Sequence, residues 1–454
     1  MDRQKRKANA CSGKPNPPSI EDLEQEVRED RNHSRAGYLE EIVSDECPAE
    51  AEQSHVDQQV RDLNRSEIDS TESRDRSAYL LACHWDWSRS SRRYSVFKMP
   101  DLAASSASEA RRKRLKRLGS LKADAHGKVF TCVSNRAWIV GVGGDHRDTI
   151  IFDASNNSSS KKKNKKKKVI QGPKLNSAKW SPVLTTVGDK VYAMSKTPSW
   201  VSGRDFPPWF EVLDLSKAKI VKVDGKLHLE DCSWIPLPHP PCMPWELSPT
   251  GYIRMTIVIL MSCVVVRPYI LISFNRPWGT YAFDTNTQEP FQWHKVHKDN
   301  LPFIGCATPL GSIFLASSRK GPINAYRINV APSDDEDNAL KLSITVLPVK
   351  YMEREVDVGP CFTSLDSESF CSLSLSVDKN SITRKCENGE LFPEKVHVNL
   401  KTYQIDNPSL LQNRDETVLA VNPEVAVSSQ QERTLNIADS THGFSPVGFS
   451  LVSM

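Results

Sequence analysis

From Tyr269 to Thr285 the chain reads YILISFNRPWGTYAFDT, two apolar runs around a Pro-Trp-Gly turn, the second closing on an aspartate. Short runs of β-branched and aromatic residues bounded by turn formers are strand signals, and two at this spacing make a strand pair. The unit recurs as AWIVGVGGDHRDTIIFDA from Ala137, KVYAMSKTPSWVSGRDFPPWFEVLDL from Lys190 and SIFLASSRKGPINAYRI from Ser312. A weaker copy runs from SFCSLSL at Ser369 to KVHVNLKTYQI, which ends at Ile405. Strand pairs that cannot each bury both faces must stack on one another in a line or a circle. The expectation is therefore an all-β array, a β-propeller.

The turns between runs are of distinct kinds: Gly143-Gly144, Gly188-Asp189, Pro277 to Gly279 and Gly321-Pro322. Beyond Gly127 no helix-period stretch interrupts the strands, which argues against alternating α/β architecture and for antiparallel sheets joined by hairpins. Residues of about 120–405 are expected to form five or six four-stranded blades. Phe152, Leu213, Phe283 and Tyr326 should be buried at equivalent strand positions, with Trp180, Trp234 and Trp293 between blades.

A length of 454 residues could hold two or three average domains, and a single propeller with disordered flanks fits it as well. Hydrophobic content is 38%, below the roughly 45–50% of ordinary globular chains, so some segment must be solvated rather than packed. The net charge of +4 is small for this length and does not argue for a nucleic-acid or membrane partner. Eleven cysteines, scattered singly from Cys11 to Cys386, form no CxxC pair and no Cys/His cluster at zinc spacing. Reduced intracellular thiols are the simplest reading. The start, MDRQKRKANACSGKPNPPS, has no apolar stretch after its basic residues, unlike a secretory signal, so the expected location is nucleus or cytoplasm. MTIVILMSCVVV, Met255 to Val266, is too short and too β-branched for a membrane helix; it reads as a buried strand, with a membrane segment or an insertion as alternatives.

The flanks read differently. Residues 1–77 are rich in Glu, Asp, Arg, Gln and Ser without sustained periodicity, the composition of a disordered acidic tail. Residues 78–119 form an aromatic and basic linker, whose Tyr79, Trp85, Trp87, Tyr94 and Phe97 could also mark a first strand or a docking segment. Within it lies RRKRLKR: Arg111, Arg112, Lys113, Arg114, Lys116 and Arg117 suit either a solvated basic helix or a nuclear-import signal read by charge. KKKNKKKK, Lys161 to Lys168, reads as a mobile loop; it lacks the interleaved aromatics that stack bases, which disfavours nucleic acid as a partner. APSDDEDNA, Ala331 to Ala339, reads as another exposed loop, and residues 406–454 as a frayed C-terminal segment.

GPKLNSAKWSPVLTTVGDKVYAMS, Gly172 to Ser195, resembles a kelch blade opening, and YAFDTNTQEPFQW, Tyr281 to Trp293, resembles the kelch third strand and turn. Gly143-Gly144 resembles the kelch double glycine. More closely, WIPLPHPPC, YILISFNRPWGTYAFDTNTQEPFQWHKV and LPFIGCATPLGSIFLASS, in that order, resemble the plant family, expanded in grasses, called domain of unknown function sixteen sixty-eight. The resemblance spans about Gly127 to Ile405. It implies a kelch-like propeller in a soluble plant protein with no established activity, and it brings no catalytic residue.

The chain contains no GxSxG elbow, HExxH, P-loop or EF-hand loop, and Gly141-Val142-Gly143-Gly144 lacks the spacing of a dinucleotide site. His294 and His297, at i and i+3 in a strand or loop, would diverge rather than share a metal. Neither the acidic triad of iron-binding kelch-like specifier proteins nor an F-box ahead of the repeats is recognisable. No catalytic residue, cofactor or metal site is expected. The expected function is a non-enzymatic protein-interaction scaffold of unknown partner; the alternative is a small-ligand-binding or enzymatic propeller with its site in the central channel. Paired carboxylates or histidines at the channel would favour the alternative.

Overall fold

The computed structural model of the chain describes residues 77–84, 92–99, 117–123, 127–155, 169–198, 207–243, 258–287, 291–332, 340–352, 354–356, 361–377, 383–385, 391–393, 396–409, 424–436 and 446–453. The expected disordered tail, apart from residue 77, and the Lys161 to Lys168 run lie outside the described residues. So does most of the Ala331 to Ala339 loop.

The strands follow one another as four-stranded meanders. β1 (Ala78–His84), β2 (Arg92–Lys98) and β3 (Arg117–Ala123) begin blade 1. Blade 2 is β4 (Lys128–Val133), β5 (Trp138–Gly143), β6 (Thr149–Asp153) and β7 (Val169–Gln171). In blade 3, β8 (Val183–Val187), β9 (Lys190–Met194) and β10 (Phe210–Asp214) are followed by a detour, the hairpin β11 (Lys219–Val223) and β12 (Lys226–Glu230). β13 (Trp234–Leu237) then returns to pair with β10. Blade 4 is β14 (Leu260–Val266), β15 (Tyr269–Phe274), β16 (Thr280–Asp284) and β17 (Trp293–His297). Blade 5 is β18 (Phe303–Leu310), β19 (Ile313–Ser318), β20 (Ile323–Pro332) and β21 (Leu340–Tyr351), with the short β22 (Arg354–Glu355) on β21. Blade 6 is β23 (Cys361–Ser364), β24 (Ser369–Val377), then the separate hairpin β25 (Thr383–Lys385) and β26 (Leu391–Pro393), then β27 (Val396–Ile405) and β28 (Val425–Asn436). Finally β29 (Pro446–Ser453) pairs with β1 and supplies the missing innermost strand of blade 1.

That last pairing closes a circle. The innermost strands β4, β8, β14, β18, β23 and β29 contact one another in this order, and β29 contacts β4. Six apolar clusters sit between consecutive blades: 1 and 2 around Phe130 and Phe152, 2 and 3 around Leu213 and Trp234, 3 and 4 around Phe210 and Phe283, 4 and 5 around Phe303 and Tyr326, 5 and 6 around Phe370 and Ile405, 6 and 1 around Leu80 and Val398. Each sheet thus buries both faces only because it has two neighbours, the condition inferred from the repeats. The all-β propeller expectation holds, and the described strands group into six four-stranded units.

Repetition extends to single positions. Phe152, Leu213, Phe283 and Tyr326 are buried, each as the fourth residue of its blade's third strand and each facing the preceding blade. In the first three, the following aspartate accepts a hydrogen bond from the amide two residues on: Ser155 to Asp153 (3.0 Å), Ser216 to Asp214 (2.8 Å) and Asn286 to Asp284 (2.8 Å). These are Asx turns, in which a side chain replaces a backbone acceptor. The intervening amide crosses to the turn between the first two strands, Ala154 to the Ala137 carbonyl, Leu215 to Asp189 and Thr285 to Pro268.

Three expectations are corrected. Residues 78–119 are not a linker, since β1, β2 and the start of β3 lie there and bury Leu80, Leu81 and Val96. The 406–454 segment is not merely frayed, because β28 and β29 pair along their lengths. Trp180 lies outside the blade interfaces at 56% exposure, against Gly127, whereas Trp234 and Trp293 pack where expected. Of the Met255 to Val266 stretch, residues 260–266 form β14, ending before the turn at Arg267-Pro268. No helix among the described residues is long and apolar enough to cross a membrane.

Candidate functional site

A propeller's axis is where a channel enzyme would keep its acids and bases. The six innermost strands carry no Asp, Glu or His, and their one charged residue is Lys128. Its buried Nζ donates to the carbonyls of Gly143 (2.8 Å) and Asp148 (3.1 Å), so the charge is held by the fold. Among the described residues no group of three or more His, Cys, Asp or Glu could hold a metal. His294 and His297 lie on β17, and His297 Nδ1 accepts the Asp299 amide (3.1 Å).

A depression of about 270 Å³ is lined by Pro277, Lys298, Asp299, Asn300 and Arg319. Ligand pockets usually span roughly 300–1,000 Å³ and are mostly apolar. This one is smaller, and two of its polar side chains are already engaged. Asn300 donates to the carbonyls of Phe274 (2.8 Å) and Arg276 (2.7 Å) and accepts the Gly279 amide (3.0 Å), while Arg319 donates to Leu301 O (3.3 Å).

The most charged buried cluster, at the seam of blades 2 and 3, is also fully occupied. Lys179 Nζ donates to Glu211 Oε1 (2.7 Å), Pro208 O (2.6 Å) and Ser177 Oγ (2.5 Å), which uses all three ammonium protons. Glu211 Oε2 accepts the Asn176 amide (2.8 Å) and side chain (2.7 Å), and both ion-pair side chains have no exposed surface. Burial lowers the Lys179 pKa, with the Glu211 charge and hydrogen bond opposing. Nearby, Gly143 has φ 116°, and a Cβ there would meet the Gly127 and Lys179 carbonyls at 2.8 Å, so only glycine lets these backbones approach. Gly144 donates to Lys179 O (2.8 Å). The double glycine therefore joins two blades.

The open surface lies at a sheet edge. β12 pairs in parallel with β7, so a hairpin from blade 3 extends blade 2 to six strands and, among the described strands, leaves β11 as the free edge. Four of the five β11 residues are exposed, Ile220 and Val223 among them, at 43% and 47%. Asp224 and Gly225, both at positive φ, make the tight turn. An Asp-Gly between apolar-rich runs is among the strongest hairpin signals, and it stands in the sequence as KIVKVDGKLHLE.

Of the basic run, Arg111, Arg112, Lys113, Arg114 and Lys116 lie outside the described residues. Arg117 is the exposed first residue of β3, paired with Phe97.

Comparison with known proteins gives the family. Residues 75–425 match the family described as Protein of unknown function (DUF1668), and the chain belongs to it. No curated protein matches. Solved structures match at low similarity. A candidate 6-phosphogluconolactonase from Bacteroides uniformis is 12% identical over 84% of this chain and 100% of its own, with a TM-score of 0.37. The β-propeller domain of Myceliophteria thermophila Cps50 (Swd1) is 8% identical over 70% and 82%, at 0.32. Kluyveromyces lactis Hsv2 is 11% identical over 77% and 85%, at 0.31. At these scores none of the three bears on activity.

Proposed function

We propose that this DUF1668 member is a non-enzymatic protein-interaction scaffold, and that its partner adds an extended segment to the free edge of β11. The observation that carries the reading is a strand with exposed Ile220 and Val223, placed at an edge unpaired among the described strands by a hairpin that the four-stranded blade does not need. An unpaired edge offers backbone donors and acceptors in register, and flanking side chains supply selectivity. Lys222 and Lys226 around that edge suit an acidic segment, while Lys219 is paired with Asp231 (2.8 Å). Innermost strands without carboxylate or imidazole support this reading over a channel enzyme.

Proximity labelling with the full chain, followed by mass spectrometry, tests it. Ile220→Lys with Val223→Lys should remove a defined set of neighbours while the far-UV circular dichroism stays that of the parent. An unchanged set would overturn docking on β11. We also propose nuclear or nucleocytoplasmic residence directed by the basic run from Arg111 to Arg117. Replacing its six basic residues with Ala in a fluorescent fusion should move the protein to the cytoplasm. Unchanged localisation, both in that variant and in one lacking the Lys161 to Lys168 run, would remove the basis for it.

A further inference from the structure

The seam between blades 4 and 5 holds a pair of thiols. β18 pairs with β19 at Phe303 and Ile304 and again from Thr308, and its ladder breaks between. There Gly305, at φ 81°, and Cys306 turn to the neighbouring blade and pair in parallel with Ser262 and Cys263 of β14. β14 is irregular at the same level, between Leu260 and Ser262. Bulges of this kind re-aim side chains. The result is that Cys263 and Cys306 are direct partners on adjacent strands.

The two members differ. Cys263 is buried, whereas Cys306 is the one exposed residue among the seven cysteines with described burial. Partners on adjacent strands lie about 4.7–4.9 Å apart, inside the roughly 4.4–6.8 Å Cα separation of disulfides, so a bond needs little backbone movement. The neighbouring Cys263 thiol lowers the Cys306 pKa, and the same contact raises that of Cys263. A thiol on an exposed residue, directly beside a second thiol that can resolve it, is the arrangement of a redox-responsive pair.

We infer that Cys306 and Cys263 are a peroxide-responsive dithiol that closes to a disulfide between the innermost strands of blades 4 and 5. The Cys306 thiolate attacks one oxygen of hydrogen peroxide. The O–O bond breaks, the departing hydroxide takes a proton to become water, and Cys306 is left as a sulfenic acid. The Cys263 sulfur then attacks the Cys306 sulfur, the S–O bond breaks, and the leaving hydroxide takes the Cys263 proton. Two thiols and one peroxide thus give one disulfide and two waters. A thiol reductant reverses the step by exchange. The inference is independent of docking at β11.

The test treats the full chain with hydrogen peroxide, blocks free thiols and maps peptides without reduction. The expected result is a dominant Cys263–Cys306 linked peptide that dithiothreitol removes. Cys263→Ser should abolish the link and leave a dimedone-trapped sulfenic acid on Cys306; Cys306→Ser should abolish both. Because either variant could disturb folding, the unaltered chain supplies a second readout: iodoacetamide should alkylate Cys306 with a pH midpoint below that of an unperturbed thiol. No linked peptide, a link no more abundant than those among other cysteines, or an ordinary midpoint would each overturn the proposal.

Discussion

Two seams of the same ring add different chemistry to the apolar cluster that each contains. Between blades 2 and 3 the addition is charged and redundant: the Lys179–Glu211 pair, the Gly144 bridge, the Trp234 indole N–H on Thr149 Oγ1 (3.0 Å), and a hairpin of one blade laid on the sheet of the other. Between blades 4 and 5 it is a two-residue ladder, a hydrogen bond from Ser262 Oγ to the Phe303 carbonyl and two thiols. A buried charge tolerates no loss of its partner, whereas a thiol pair has two stable covalent states. The first seam is therefore a fixed joint and the second an adjustable one, within a single repeated architecture.

The comparison breaks most readily at the fixed joint. Lys179→Met should cost about 3–5 kcal/mol in denaturant unfolding, because Glu211 would be left charged and unpaired in the interior. Adding Glu211→Leu should restore much of that loss. If the double variant is no more stable than the single one, the pair is not the source of the rigidity. At the next seam, between blades 3 and 4, Phe283 packs on Phe210 (5.0 Å) and Trp293 (5.2 Å). Phe283→Ala should cost about 3–5 kcal/mol, in the lower part of that range if Phe291 or Trp293 moves into the cavity.

Smaller changes sharpen the contrast. Asp284→Ala, which removes the turn acceptor of blade 4, should cost about 1 kcal/mol, seen as a shifted unfolding midpoint at unchanged denaturant slope. Cys306→Ser under reducing conditions should stay within about 0.5 kcal/mol, the range of a surface substitution. A larger loss would mean that the thiol supports the seam mechanically and not only by redox chemistry.

What the sequence reveals follows how local each feature is. The third strands could be read because a buried aromatic or leucine directly precedes a turn aspartate, as in TIIFD, FEVLD and TYAFD, and both demands fall within a few residues. β28 was illegible because VAVSSQQERTLN serves as an outer strand, where much of the surface meets water and little apolar content is required. β29 was missed for another reason: its partner β1 is at the far end of the chain, and no short-range pattern records that pairing. Lys179 reads as a solvated lysine until Glu211 is folded against it. Cys263 and Cys306 look like scattered thiols because the bulge that joins them has no sequence mark beyond Gly305. The β11–β12 hairpin could have been found from its Asp-Gly turn.

The pairing of β29 with β1 also sets a schedule for biosynthesis. Leu81 emerges about 370 residues before its partner Ser450. At about 5–20 residues per second, the interval on the ribosome is on the order of half a minute. Throughout it, blade 1 lacks its inner strand, and the apolar side chains of β1, Leu80 and Leu81 among them, have an open edge beside them. The nascent ring is thus a substrate for chaperones until β29 has emerged, and a premature stop near residue 445 would leave five complete blades and one permanently sticky edge.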